Sequence, residues 1–268
     1  MLHLFTVKET FLELIIVCLA ALAASLLTLF SGFGLGTLLM PVIALFFSLE
    51  LAIAMTAMVH LANNLFKIGL LGKKADCSIL IKFGLPAVLA ALGGAFLLAW
   101  FGNFQPVHEY QAFGHDLQIS ALKLIIGCLI IVFVALELWP AYANIAIDRK
   151  WLPLGGVISG FFGGLSGHQG AFRSMFLIKA GLQKEVFVAT GVVLAVMVDF
   201  SRLAIYGTDI LMRAGSINWG MVISASLSAF AGAYMGKRIL GKVTIRTVQL
   251  LVSAALTVIA IGLIAGVL

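Results

Sequence analysis

The side chains able to do chemistry in this chain are few, and they lie in apolar surroundings. His60, Asn63, Asn64 and Lys67 are three, four or seven apart, which places them on one face of a helix. Asp199 and Arg202, three apart in another apolar stretch, are close enough to pair. Between these groups, the stretch Gly160 to Arg173 holds five glycines together with Ser166, His168, Gln169 and Arg173. A charge at mid-membrane costs about 2.5–3.5 kcal/mol on insertion scales, so residues of this kind face a bundle interior and mark ion or substrate paths.

The chemistry that this pattern suits is the binding of a small anion. A helix start near Ala171, directly after Gly170, offers free N–H groups and the positive end of a helix dipole. Arg173 and His168 add charge or donors there, and Ser166 and Gln169 add polar contacts. An earlier interruption, Ser31 to Thr37, is expected to act likewise through Ser31, Gly34, Gly36 and Thr37. The His60, Asn63 and Asn64 face completes the expected binding set, with Asp199, Arg202 and Lys67 as a coupling or charge group. Plainer roles compete with these. Lys67 and Arg202 lie near segment ends and can snorkel, Asp199 can be the structural partner of Arg202, His60 and the asparagines can bond neighbouring helices, and Ser or Thr can simply cap.

Two enzyme-like signals are weaker. Gly164-Leu165-Ser166-Gly167 matches the Gly-x-Ser-Gly of intramembrane serine proteases, but over four residues only. His108, Glu109, His115 and Asp116 lie together in a polar stretch and read as ordinary solvated polarity rather than a fixed zinc ligand set. Neither catalysis, a metal nor a cofactor is expected.

The elements that must position these residues follow from composition. With 62% hydrophobic and 10% charged residues, the 268-residue chain is far below the roughly 25% charge of soluble domains and belongs to the membrane class. Its net charge of +6 sits in short loops with no basic stripe, which excludes nucleic acid as a partner. Cys18, Cys77 and Cys128 are too far apart for a disulfide framework or metal cluster. Lys8 followed by an apolar run and the small residues Ala20 to Ser25 resembles a signal peptide, but cleavage there would remove half of a repeat.

Apolar segments are expected at Phe11–Phe30, the short Thr37–Phe47, Leu51–Leu71, Ile79–Phe101 and Ser120–Trp139, then at Leu152–Leu165, the short Ala171–Gly181, Val186–Tyr206, Asn218–Leu240 and Thr247–Val267. The order of long and short segments repeats. A constant shift carries Ser31 onto Ser166, Met40 onto Met175, Glu50 onto Glu185 and Lys67 onto Arg202. Lys73, Lys74, Arg149, Lys150, Lys237, Arg238, Lys242 and Arg246 mark three loops as cytoplasmic. That places both termini outside and turns the two halves in opposite directions across the membrane. The expected fold is an all-α polytopic membrane protein, one transmembrane domain over residues 1–268. It consists of two inverted-topology repeats of about five segments each, near 11–139 and 152–267, with Gly-interrupted broken or re-entrant helices. The glycines of Gly160 to Arg173 are where the second repeat is expected to break. Gly232, Ala233 and Gly236 suit close helix contact.

The run Ser31 to Pro41, Lys67-x-Gly69, Lys73-Lys74-Ala75-Asp76, Gly156 to Gly170, Gly181, Ala189-Thr190 and Gly232-x-x-x-Gly236 resembles the two-repeat pattern of the sulfite exporter TauE/SafE family. The resemblance covers about Phe11 to Gly266. It implies a bacterial or archaeal inner-membrane permease that exports sulfite, sulfonates or related anions and draws on an ion gradient. The partners implied are that anion, the bilayer, a coupling proton or cation, and conceivably a second copy in a homodimer. Two departures bear on the substrate. The triple-glycine turn of the family reads Gly34-Leu35-Gly36-Thr37 and His168-Gln169-Gly170 here, and its Thr-Ser pair reads Thr56-Ala57 and Thr190-Gly191. An anion channel, an intramembrane enzyme and a scaffold without transport are the rival classes.

Overall fold

Long apolar runs cannot leave backbone polar groups unpaired in lipid, and helices are the way a single segment satisfies them. A computed structural model describes residues 2–31, 34–71, 74–102, 104–112, 114–139, 147–178, 180–212, 217–239 and 245–268. Lys73 and Lys242 of the charge reading lie outside these residues, as do the side chains of Ser31, His115, Lys237, Arg238 and Arg246.

The helices among the described residues are α1 (Leu2–Ser31), α2 (Leu35–Ile43), α3 (Leu49–Leu71), α4 (Cys77–Phe101), α5 (Ala121–Leu138), α6 (Leu152–Ser166), α7 (Gly170–Ile178), α8 (Lys184–Met212), α9 (Trp219–Ile239) and α10 (Ile245–Ile264). Helices α2 and α7 have nine residues each, about 13.5 Å at 1.5 Å per residue, under half of a hydrocarbon core about 30 Å thick. Neither can cross alone. Windows in α3, α4 and α8 are long and apolar enough to span, with shorter apolar helices at Phe11–Leu27 and Ala121–Leu136. Leu19, Leu89, Phe96, Leu227 and Val258 are all more than half exposed, a surface suited to lipid rather than water.

One wide turn, Leu80–Gly84, interrupts α4 just before Pro86. The proline ring has no N–H and crowds the carbonyl four residues back, and opening the preceding turn relieves both problems. The polar stretch between α4 and α5 is more ordered than the sequence suggests. It folds as a hairpin of β1 (His108–Ala112) and β2 (His115–Ile119), paired antiparallel with Tyr110 opposite Leu117. Across the hairpin Gln111 donates to Asp116 at 2.7 Å and Gln118 to Glu109 at 3.1 Å, so both carboxylates are engaged by amides. Tyr110 Oη ties it to the Ala265 carbonyl at 2.5 Å.

The most extensive helix contacts are α4 with α6 and α1 with α9, followed by α5 with α10 and α3 with α8; α4 also packs on α8, and α9 on α3. Glycine makes the first of these possible. Gly156, Gly160 and Gly164 lie along one face of α6, and a β carbon on them would run into the carbonyls of Phe83, Ala87 and Ala91. From the other side, Gly94 of α4 meets Phe161 in the same way, and Gly232 of α9 meets Leu22 of α1. This corrects the expectation for the central stretch. Gly160, Gly163 and Gly164 are inside α6 and serve packing; the break is made by Gly167, whose φ of 81° is left-handed and whose N–H closes the helix on the Gly163 carbonyl.

Candidate functional site

The two breaks meet in the middle of the molecule. A β carbon on Gly36, in the first turn of α2, would lie 3.6 Å from Thr56 and 3.9 Å from the Gly167 carbonyl. Gly34 lies against His60 in the same sense, 3.5 Å from Nε2, and Gly167 against Arg202, 2.8 Å from Nη1. Bare backbone therefore comes close to the polar faces of α3 and α8, and at Gly167 a β carbon would collide with Arg202.

Asp199 holds the centre. His60 Nδ1 lies 2.6 Å from its Oδ2, Arg202 Nε donates to Oδ1 at 3.1 Å, and Arg202 Nη2 is 2.8 Å from the same oxygen. Asp199, Arg202 and His60 are 0%, 1% and 4% exposed, and no other acid among the described residues is buried. Asn64 Nδ2 lies 3.1 Å from His60 Nδ1 and 3.3 Å from Nε2, one helical turn away. Lys67 is buried as well, so it does not snorkel. With its amide turned to suit its neighbours, Asn63 accepts from Lys67 Nζ at 3.1 Å and donates to the Ala229 carbonyl of α9 at 3.2 Å; Ser25 of α1 lies beside it at 3.0 Å.

The central break supplies the other wall. His168 Nδ1 lies 3.1 Å from both the carbonyl and the hydroxyl of Ser166, and its ring stacks on Phe133 of α5 at 5.0 Å between centroids. Phe162 and Phe172 close around the same phenyl ring. Ser159 holds the Gln169 carbonyl at 2.9 Å, and Tyr206 donates to the Gly164 carbonyl at 2.5 Å. Arg173, only partly buried on α7, reaches Gln169 Oε1 at 3.4 Å; its Nε lies 3.5 Å from the place of a β carbon on Gly191, so the lack of a side chain there makes room for it. Thr56 Oγ1, His168 Nε2 and Gln169 Nε2 are buried without a hydrogen-bond partner. Buried polar atoms are seldom left so; the Thr56 hydroxyl and the Gln169 amide are free to donate to a ligand, whereas His168, whose Nδ1 donates to the Ser166 carbonyl, presents a lone pair at Nε2.

Of the residues singled out from the sequence, Asn64, His60, Asp199 and Arg202 form one hydrogen-bonded group, and Lys67 and Asn63, also on α3, form a second with Ser25 of α1. Gly34, Gly36, Gly167, His168, Gln169 and Arg173 border them. Thr37 is buried at the start of α2, where its N–H bonds the Gly34 carbonyl at 3.1 Å, and Gly170 opens α7. Ser166 is turned away from α3 and α8, its hydroxyl bonding the Phe162 carbonyl and His168. Sequence reasoning missed Ser25, Ser159, Phe133 and Tyr206. Each is an ordinary small or aromatic residue in an apolar helix, and only its partner on another helix distinguishes it.

Arg202 pairs with the buried Asp199, Arg173 acts on the same carboxylate and on Lys67, and unpartnered polar atoms and two helix breaks lie beside them. Fold and site together define an all-α membrane protein with an anion-attracting centre. A family profile described as Sulfite exporter TauE/SafE matches residues 17–263. The chain belongs to that family, and is thus a membrane transporter of sulfite or related anions. No curated protein and no solved structure matches it.

Proposed function

We propose that this protein is a secondary transporter that exports a small sulfur-containing anion, sulfite or an organosulfonate, coupled to an ion gradient. The anion is held where the breaks meet, by Arg173, Gln169, Thr56 and the polar face of α3, with Lys67, Asp199 and Arg202 as the charge group. The observation that carries this reading is that Lys67 and Arg202 are buried with Asp199 as the one buried acid among the described residues, where glycine backbone from both breaks comes close to His60 and Arg202.

Two inverted repeats, residues 11–139 and 152–267, account for the packing. Exchanging α1–α5 with α6–α10 turns the α4–α6 contact into α9–α1 and leaves α3–α8 and α5–α10 unchanged. The shift that carries Lys67 onto Arg202 also carries Asn64 onto Asp199. Such repeats place the substrate at the repeat interface and allow alternating access by rocking. In this reading the protein sits in the inner membrane of a bacterium or archaeon with both termini outside. A reporter active only in the periplasm, fused after Leu268, is expected to be active; activity of a cytoplasmic reporter alone would overturn the inverted arrangement.

The test of transport is flux in proteoliposomes. Sulfite or methanesulfonate efflux is expected to saturate with concentration and to respond to an imposed gradient, whereas a channel would give flux without saturation. Arg173→Ala is expected to weaken anion binding about ten- to a hundredfold, since a hydrogen bond to a charged group is worth about 1.5–3 kcal/mol and 1.4 kcal/mol is about tenfold. Arg173→Lys should recover only part, because an ammonium lacks the planar two-point geometry. A well-folded Arg173→Ala protein that binds both anions like the parent would move the site to the His60 to Lys67 face.

A further inference from the structure

We infer that His60 is the proton-binding site of this transporter, and that its Nε2 takes up a proton when an anion enters between the two breaks. This rests on the anion-site reading above and adds the protonation of that site.

The geometry begins at Asp199. One of its oxygens receives Arg202, and the other faces His60 Nδ1 at 2.6 Å, so the ring proton must sit on Nδ1. The neutral ring then keeps its lone pair on Nε2. That atom lies on the side of Gly34, 3.5 Å from where a β carbon would be, and the adjoining Cδ2 lies 4.0 Å from the corresponding point on Gly36. Both glycines belong to the break that meets Gly167. Nε2 is therefore placed at the crossing of the breaks, where backbone leaves room for a ligand. Asn64 Nδ2 lies beside both ring nitrogens, 3.1 Å from Nδ1 and 3.3 Å from Nε2, so its amide is a polar neighbour to the ring in either state.

Charge decides when the proton binds. The charged groups that act on His60 are Asp199 and Arg202 from α8 and Lys67 from its own helix; from the central break Arg173 acts on Lys67 and Asp199, and His168 on Arg202, while Tyr206 is bonded to the Gly164 carbonyl. Three cations against one carboxylate oppose a further positive charge. An anion held among them reverses that balance, so the proton and the anion each raise the affinity for the other, by the same factor.

Calorimetric titration of the purified protein with methanesulfonate, which carries one fixed charge at every pH used, tests this. In buffers of different ionisation enthalpy, binding is expected to take up about one proton per anion where free His60 is neutral, and to strengthen about tenfold between high and low pH. His60→Gln should bind without proton uptake and without the pH dependence. For sulfite, which titrates itself, the difference between parent and His60→Gln is the measure. Nitrogen-15 shifts of the His60 ring with and without anion report Nε2 protonation with no substitution, should His60→Gln fail to fold. Binding with no proton uptake, uptake that persists in His60→Gln, or a ring unchanged by anion would each overturn the inference while leaving the anion site standing. Absence of any anion binding in the parent would overturn both.

Discussion

Asp199→Asn is expected to be the most damaging single change in the charge network, at about 3–5 kcal/mol, because it leaves the Arg202 charge without a partner. Arg202 is 1% exposed, and no second buried acid among the described residues can take over from Asp199. Arg202→Met should cost less. Asp199 would keep His60 at 2.6 Å, and a proton on that ring can balance the carboxylate. The double substitution removes both charges and should be milder than the sum of the singles. Thermal unfolding of detergent-purified variants gives the ordering. A double variant as unstable as the sum of the singles would show that these side chains do not act as a pair, and equal losses for the two singles would show that His60 does not take over from Arg202.

Gly160→Val is expected to separate α4 from α6, with a loss of about 1–3 kcal/mol or more and little folded protein recovered. The β carbon would run into the carbonyl of Ala87, and a helix backbone cannot give way as a flexible side chain does. The adjacent pair on α4 is the sharper comparison. Gly94→Ala meets the Phe161 carbonyl, whereas nothing lies within 4 Å of a β carbon on Gly93. Gly93→Ala should therefore be neutral or stabilising by about 0.5–1 kcal/mol, the usual gain for replacing an interior helix glycine. The consequence reaches the site, since α6 carries Gly167, His168 and Gln169 at its end. Transport by any folded Gly160→Ala protein should fall along with its stability. If Gly93→Ala and Gly94→Ala unfold at the same temperature, the close α4–α6 packing is not what holds these helices together.

The hairpin shows where local reading stops. His108 to Ile119 has the polarity of a solvated loop, and its strands rely on cross-strand amide–carboxylate bonds and on Tyr110 reaching the Ala265 carbonyl. The glycines of α6 show a related limit. In sequence, Gly160 and Gly164 look like Gly167, yet the first two let another helix approach and only the third has a left-handed φ. Nothing local separates a glycine used for packing from one used for turning.

The membrane class, the order of long and short helices, the two interruptions and the polar faces of α3 and α8 can be read from the chain alone. Hydropathy over about twenty residues and spacing at about 3.6 residues per turn are properties of each segment taken singly. Which faces meet is another matter. His60 and Asp199 are 139 residues apart, Ser25 and Asn63 are 38 apart, and Phe133 finds His168 from a different helix. Those pairings depend on how far each helix is rotated and how closely it approaches its neighbour. Rotation and approach are set by the glycine and alanine faces of α4, α6, α1 and α9 packing together, so the polar cluster around Asp199 forms only once those helices are in place.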